Sequence, residues 1–278
     1  APIDMGDYTR EKIILTICDV LDFPLYILKP HKAKPPYNVA LFCHGHGIGV
    51  RASLGLDLND RPAPPDYHKL APVMLARLGY VVAVPEIIGF GDTMLAVDYK
   101  EREKESCSCH IFATNLIMQN LTIAGLRVYQ AMSVLDYMLS MDDVNPQTVS
   151  CMGISGGGML ASFVSALDER IKNAVVSGYI SSFRDSIMAM RHCICNFVPG
   201  LYSLMEMDTL AALIFPRRLV IEGGTMDPIF PSFAVRETCE KLQKLYDTNN
   251  YTDRFGVDIF EGEHEISGNV AYKMLKLD

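Results

Sequence analysis

Residues 153–157 read Gly153-Ile154-Ser155-Gly156-Gly157. They follow an apolar stretch at 148–152 with strand character and precede a helix expected over 157–166. A serine on a sharp strand-to-helix turn holds its hydroxyl in the open, and flanking glycines let so tight a turn close. The helix start also aims backbone N–H groups and its dipole at developing negative charge. The pattern points to Ser155 as an acyl-transfer nucleophile and to the Gly156 N–H as a donor to the tetrahedral oxyanion. Packing alone would also explain a glycine-rich turn, so the decision falls to the partners a serine nucleophile needs.

Those partners are a base and an acid that orients it, in chain order serine, acid, histidine for a turn of this kind. Two histidines follow Ser155, namely His192 and His264. His264 comes just after an expected strand at 254–260, whereas His192 lies in a Met- and Cys-rich stretch with no strand before it. His264 is therefore the expected base. The preceding strand, expected at 217–221, leads into Gly223-Gly224-Thr225-Met226-Asp227-Pro228, which places Asp227 as the orienting acid and Glu222 as its reserve. An Asp-Pro pair is also a common turn. Three slots filled in the required order are more specific than any one of them.

A second oxyanion donor should come from the loop after the strand expected at 38–43, which reads His44-Gly45-His46-Gly47. The backbone N–H of His46 is the expected donor. A metal bound by His44 and His46 is the competing reading, but the third and fourth ligands such a site needs are not evident. Cys107-Ser108-Cys109-His110 and His192-Cys193-Ile194-Cys195 could in principle join in a metal site, yet nothing in the sequence fixes the two segments together. No metal and no cofactor are expected. Gly89-Phe90-Gly91-Asp92 lacks the third glycine and the following helix of a dinucleotide loop.

The elements that must position these residues alternate. A hairpin is expected from strands at 12–18 and 24–28, then strands at 38–43, 80–84, 148–152, 173–177, 217–221 and 254–260. Helices are expected at 67–78 (ending at Gly79), 115–140, 157–166, 233–246 and after Glu265. Strand-helix alternation implies parallel strands, right-handed crossovers and helices on both faces, with function at the strand carboxyl ends. His31 and His68 read as surface or helix-face residues. The 278 residues are 49% hydrophobic and 21% charged, and 25 Lys+Arg against 33 Asp+Glu leave a net charge of −8. That balance argues against a nucleic-acid partner, which needs a basic face. No apolar run reaches the ~18 residues of a membrane span, so no membrane partner is expected.

Eight cysteines in a chain this long are not a disulfide scaffold, which favours a cytoplasmic location. Ala1 is not an initiator, so the chain reads as trimmed or processed, and a secreted form stays open. The glycosylation-type triplet Asn120-Leu121-Thr122 falls inside the helix expected at 115–140.

The residues quoted so far resemble the α/β-hydrolase superfamily, and within it the acetyl xylan esterase and cephalosporin-deacetylase-like branch, with the dienelactone hydrolase-like group next. The likeness runs from the strand before His44-Gly45-His46-Gly47, through Tyr80-Val81-Val82-Ala83-Val84-Pro85 and the nucleophile turn, to Asp227 and Gly262-Glu263-His264. It implies a single α/β domain over 1–278, with a mostly parallel sheet, an N-terminal antiparallel hairpin and helices on both faces. It also implies a cofactor-free serine carboxylic-ester hydrolase acting on small acyl esters, acetyl esters of carbohydrates among them. Dienelactone hydrolases carry a cysteine nucleophile where Ser155 stands.

Two segments, 89–115 and 179–210, read as lid-like excursions. Met188 and Met205 in the second would line an acyl pocket if the segment covers Ser155 and pack in the core otherwise. A prolyl-oligopeptidase-like peptidase would need a large access-restricting domain, for which there is no spare length. A non-catalytic binding module would ordinarily lack one of the three slots. A small-molecule ester is the expected partner, and a homo-oligomer is compatible with the composition.

Overall fold

The computed structural model describes residues 1–99 and 107–276. The charge cluster at 100–105, part of the first lid-like segment, lies outside the described residues. Nine strands form one sheet: β1 Ile3–Asp4, β2 Tyr8–Ile17, β3 Leu21–Pro30, β4 Tyr37–Cys43, β5 Tyr80–Pro85, β6 Val144–Ile154, β7 Ile171–Ser177, β8 Arg218–Gly224 and β9 Phe255–Phe260. Their order is β1-β2-β3-β5-β4-β6-β7-β8-β9. The hairpin β2–β3 and the β3–β5 pair are antiparallel, and every pairing from β5 to β9 is parallel.

Period-two alternation explains how β4 serves two cores at once. Val39, Leu41 and Cys43 point to one face and Ala40 and Phe42 to the other, all buried. On the first face lie helices α3 Ile123–Leu139 and α4 Gly156–Leu167, which bury Val134, Leu135, Met138, Leu160 and Val164. On the second lies α1 Ala71–Arg77, with Val73, Leu75 and Ala76 inward, joined by Ile266, Ala271 and Leu275 near the end of the chain. Truncating one such fully buried leucine to alanine costs about 2–5 kcal/mol. Helix α5 Ser232–Thr248 covers β8 and β9 through Val235, Cys239, Leu242 and Tyr246.

Two helices differ from the expected ones. The helix expected at 115–140 is two, α2 Cys109–Ile117 and α3. Asn120 turns left-handed (φ 58°), and the Thr122 side chain caps the second helix by accepting from Gly125 N at 3.0 Å. A capping threonine satisfies an N–H that no earlier turn can, so the apolar period continues while the backbone does not. Asn120-Leu121-Thr122 thus sits in an exposed break, not inside a helix. The helix expected at 67–78 starts at Ala71, because Lys69 and Leu70 both have positive φ. Tyr67 and His68 are thereby released from a helix and aimed at the sheet end.

Candidate active site

Ser155 stands between β6 and α4 with φ 59° and ψ −124°, a sparsely populated conformation that costs an L residue about 1–3 kcal/mol. Its N–H donates to Ser177 O at 3.0 Å and its carbonyl accepts from Met159 N at 2.9 Å, which hold the turn. The turn presses against the end of β4. A Cβ on Gly157 would lie 2.0 Å from Cys43 O, so no side chain fits there.

His264 follows β9 and Asp227 follows β8, as expected. His264 Nδ1 is 2.6 Å from Asp227 Oδ2. A carboxylate only accepts, so Nδ1 carries the proton and Nε2 is left as a bare acceptor. The other Asp227 oxygen accepts from Ile229 N (2.9 Å) and Phe230 N (3.0 Å), which fixes the carboxylate plane. The imidazole is held between the rings of Tyr67 (centroids 5.8 Å apart) and Phe230 (5.7 Å). It also packs on Gly178, where φ is +52° and a Cβ would come within 3.0 Å of His264 Cε1. Among the described residues the buried His264 Nε2 has no hydrogen-bond partner, a situation that calls for an explanation in a folded protein. Ser155 and His264 line the same cavity, of about 340 Å³, together with His46, Tyr67, Arg191, Asn196, Ile229 and Phe230. No hydrogen bond joins Ser155 to His264 in this state; such contacts commonly tighten only around bound substrate.

The loop after β4 is fixed by two buried histidines. His44 Nε2 accepts from Ile87 N at 3.0 Å, so its Nδ1 donates to Gly45 O at 2.8 Å. His68 Nε2 accepts from Gly45 N at 2.9 Å, and its Nδ1 donates to Asp66. Burial holds His68 below the usual histidine range and keeps it neutral. His68 is thus an internal strut rather than a surface residue. With Gly45 N–H so engaged, the N–H groups of His46 and Gly156 are among those that donate to nothing among the described residues. Tyr67 Oη donates to His46 O at 2.5 Å, and burial pushes this phenol well above its usual range, so it stays a donor. Buried Glu86 accepts from Val50 N (2.9 Å) and Asp92 N (3.3 Å) and so braces the residues that follow.

Two expectations are corrected. Met188 and Met205 do not line the cavity shared by Ser155 and His264. Met188 is 56% exposed and borders a separate apolar cavity with Ile117 and Tyr202, while Met205 packs against the core beside β7 and β8. The sequence could not show that the chain turns away after β7. Glu222 is no reserve acid: it is buried on Ser177 Oγ (2.5 Å) and Gly268 N (2.8 Å), away from His264. His192 borders the cavity, but its Nε2 lies 3.2 Å from Ser186 Oγ, and among the described residues no acid bonds to it. Sequence reasoning missed Tyr67, Phe230 and Gly178. Their only local signal was a Tyr-His pair ahead of α1, a Phe three residues after Asp227 and a glycine after an expected strand. It also kept the two C-x-C segments apart, and the fold brings them together beside His46.

No family model matches the chain. YtaP, a provisionally named hydrolase of Bacillus subtilis (strain 168), is 28% identical over 244 residues, covering 84% of this chain and 75% of its own length. Among solved structures, a provisionally named acetyl xylan esterase of Bacteroides fragilis NCTC 9343 superposes with a TM-score of 0.78 at 14% identity, over 100% of this chain and 76% of the other. A glucuronoyl esterase from Solibacter usitatus gives 0.65 at 15% identity, over 98% and 81%. Strand order, crossovers, the strained turn at Ser155 and these superpositions agree: the chain has the α/β-hydrolase fold.

Proposed function

We propose that the chain is a serine carboxylic-ester hydrolase working through Ser155, His264 and Asp227. The observation that carries this reading is the orphaned His264 Nε2. It is a buried acceptor with its tautomer locked from behind, set beside the cavity that Ser155 lines. A general base for a serine hydroxyl needs that arrangement. Ser155 Oγ attacks the ester carbonyl as His264 Nε2 takes its proton. The N–H groups of Gly156 and His46 hold the oxyanion, and Asp227 stabilises the imidazolium. His264 then protonates the departing alcohol, and a water activated by His264 releases the acid. These steps use only side chains and backbone groups.

The substrate proposed is a small acyl ester, acetyl foremost, on a carbohydrate-sized alcohol. Two features support it. The 340 Å³ cavity lies at the small end of the range for ligand sites, which suits a small ester. A second cavity of about 500 Å³ adjoins it across His46 and Tyr67, lined by Gly47, Ile48, Leu56 and Leu58, with Asp57 and Asn59 at hand for hydroxyl groups. The name of one structural neighbour, an acetyl xylan esterase, points the same way. The test is hydrolysis of p-nitrophenyl acetate and butyrate by the wild type and by folded Ser155→Ala, followed by acetylated sugars. Turnover should fall by roughly 10³-fold or more in the variant. Equal activity in the two proteins would remove Ser155 from the mechanism.

A further inference from the structure

Cys107 and Cys109 stand at the start of α2, and Cys193 and Cys195 lie in the segment that follows β7. Packing of α2 on the turn Ile194–Asn196 brings these stretches together. The ligand atoms of Cys109, Cys193, Cys195 and His46 all lie within 4.8 Å of one another, and Cys195 Sγ is 3.3 Å from His46 Nε2. Buried thiols usually act as small hydrophobes scattered through a core. Here three of them and an imidazole converge on one point. A zinc tetrahedron with three sulfurs at about 2.3 Å and one nitrogen at about 2.0 Å has edges of roughly 3.5–3.8 Å, so closure needs movements of about an ångström.

The charge around the cluster supplies an independent observation. Arg127, on α3, is 2% exposed. Its Nη2 donates to Cys109 Sγ at 3.1 Å and its Nε to Ile88 O at 2.9 Å, and among the described residues it donates to no carboxylate. A buried guanidinium requires a compensating anion. Three thiolates and a neutral imidazole around a divalent ion carry one negative charge, which Arg127 cancels. Four thiolates would leave one in excess. Cys107 is not among the four residues whose ligand atoms converge. A cavity of about 450 Å³ lined by Cys107, His110, Arg191, His192 and Cys193 offers an entry path.

We propose that Cys109, Cys193, Cys195 and His46 hold one zinc ion. Binding releases three thiol protons to solvent and forms three Zn–S bonds and one Zn–N bond from His46 Nε2. Four protein ligands close the shell, so the ion is structural rather than catalytic. Its other ring nitrogen, Nδ1, lies over the start of α4, 2.8 Å from where a Gly156 Cβ would stand. The ion therefore pins the loop after β4, α2 and the 193–195 stretch to one point beside Ser155. Metal binding stands without the esterase reading; only an effect on turnover depends on it.

The test uses the full chain, reduced and reconstituted with zinc, then freed of loose metal by gel filtration. Elemental analysis should find about one zinc per chain. Cobalt in its place should give the intense red-region bands of a tetrahedral site and thiolate charge transfer in the near ultraviolet. Cys195→Ser and His46→Ala should each weaken zinc binding tenfold or more, with far-ultraviolet circular dichroism unchanged, while Cys107→Ser keeps the metal. The cobalt spectrum of the wild type serves if the variants fail to fold. The proposal is overturned by a zinc-free chain with all eight thiols titratable in denaturant. Disulfides mapped among 107, 109, 193 and 195 by mass spectrometry would overturn it as well. Retention of zinc by His46→Ala with its loss in Cys107→Ser would replace the ligand set with four cysteines.

Discussion

Asp227→Asn isolates the role of the buried acid. One oxygen of Asp227 accepts from Ile229 N and Phe230 N, and the other faces His264 Nδ1 at 2.6 Å. Asparagine keeps its carbonyl oxygen on the two backbone donors, since its amide cannot accept from them. The amide NH₂ is thereby turned toward His264, and a donor there forces the imidazole proton from Nδ1 to Nε2. The base is then filled before the reaction starts. The ring stays between Tyr67 and Phe230, so position is preserved and only the tautomer is wrong. For a serine triad this change costs kcat roughly 10⁴-fold, or about 5.4 kcal/mol at 1.36 kcal/mol per decade. Stability should fall by a smaller amount, about 1.5–3 kcal/mol for one charge-assisted hydrogen bond. Turnover of p-nitrophenyl acetate, a thermal melt and circular dichroism on the same preparation read all three quantities. A folded variant within tenfold of wild-type kcat would show that Asp227 does not set the His264 tautomer during turnover.

Other substitutions probe the supports around the site. Gly178→Ala places a methyl group 3.0 Å from His264 Cε1 at a residue with φ +52°. It should lower kcat/KM by roughly 10–100-fold and stability by about 1–2 kcal/mol, read by kinetics and denaturant titration. Tyr67→Phe removes the hydroxyl that holds His46 O, and kcat should drop roughly tenfold at nearly unchanged KM. Burial holds Glu222 above its ordinary value of 4.5. The folded state thus binds that proton more tightly than the unfolded chain, and the stability gained below about pH 4.5 is lost as pH rises through the folded value. Glu222→Gln should keep wild-type turnover, and its melting temperature should gain on the wild type as pH rises from 4.5 toward 7. Met188→Ala should leave acyl-chain preference unchanged in a p-nitrophenyl ester series, because Met188 borders a different cavity.

Much of the site was readable because its primary residues obey local rules. Strands buried on both faces are nearly continuous apolar runs, as at Val39–Cys43 in β4 and Tyr80–Pro85 in β5. Once those runs are found, the residues after them are fixed by position, and Ser155, Asp227 and His264 each follow one. The residues that support them follow no such rule. Tyr67 reaches His264 across almost two hundred positions, and its stretch has helical spacing although Lys69 and Leu70 break the helix. Asn120 and Thr122 end one helix and start another without interrupting the apolar period, so a pattern count runs straight through them.

The cysteines carry the same lesson furthest. Spacing within one segment argues against a metal, because C-x-C in an extended chain puts its two cysteines on one face but about 6–7 Å apart along it, wider than the sulfur separation around one ion. That objection holds for an extended segment and fails for this one. Cys109 opens a helix, and Cys195 lies within the helical turn Ile194–Asn196. Cys109 of the first segment and Cys193 and Cys195 of the second therefore turn toward one another and toward His46. Ligand spacing in sequence is diagnostic only when one local element supplies most of the shell. When three separate segments each supply one or two ligands, the constraint resides in the packing of α2, the 193–195 stretch and the loop after β4. A buried Arg127 paired with sulfur, rather than any motif, is what exposes it.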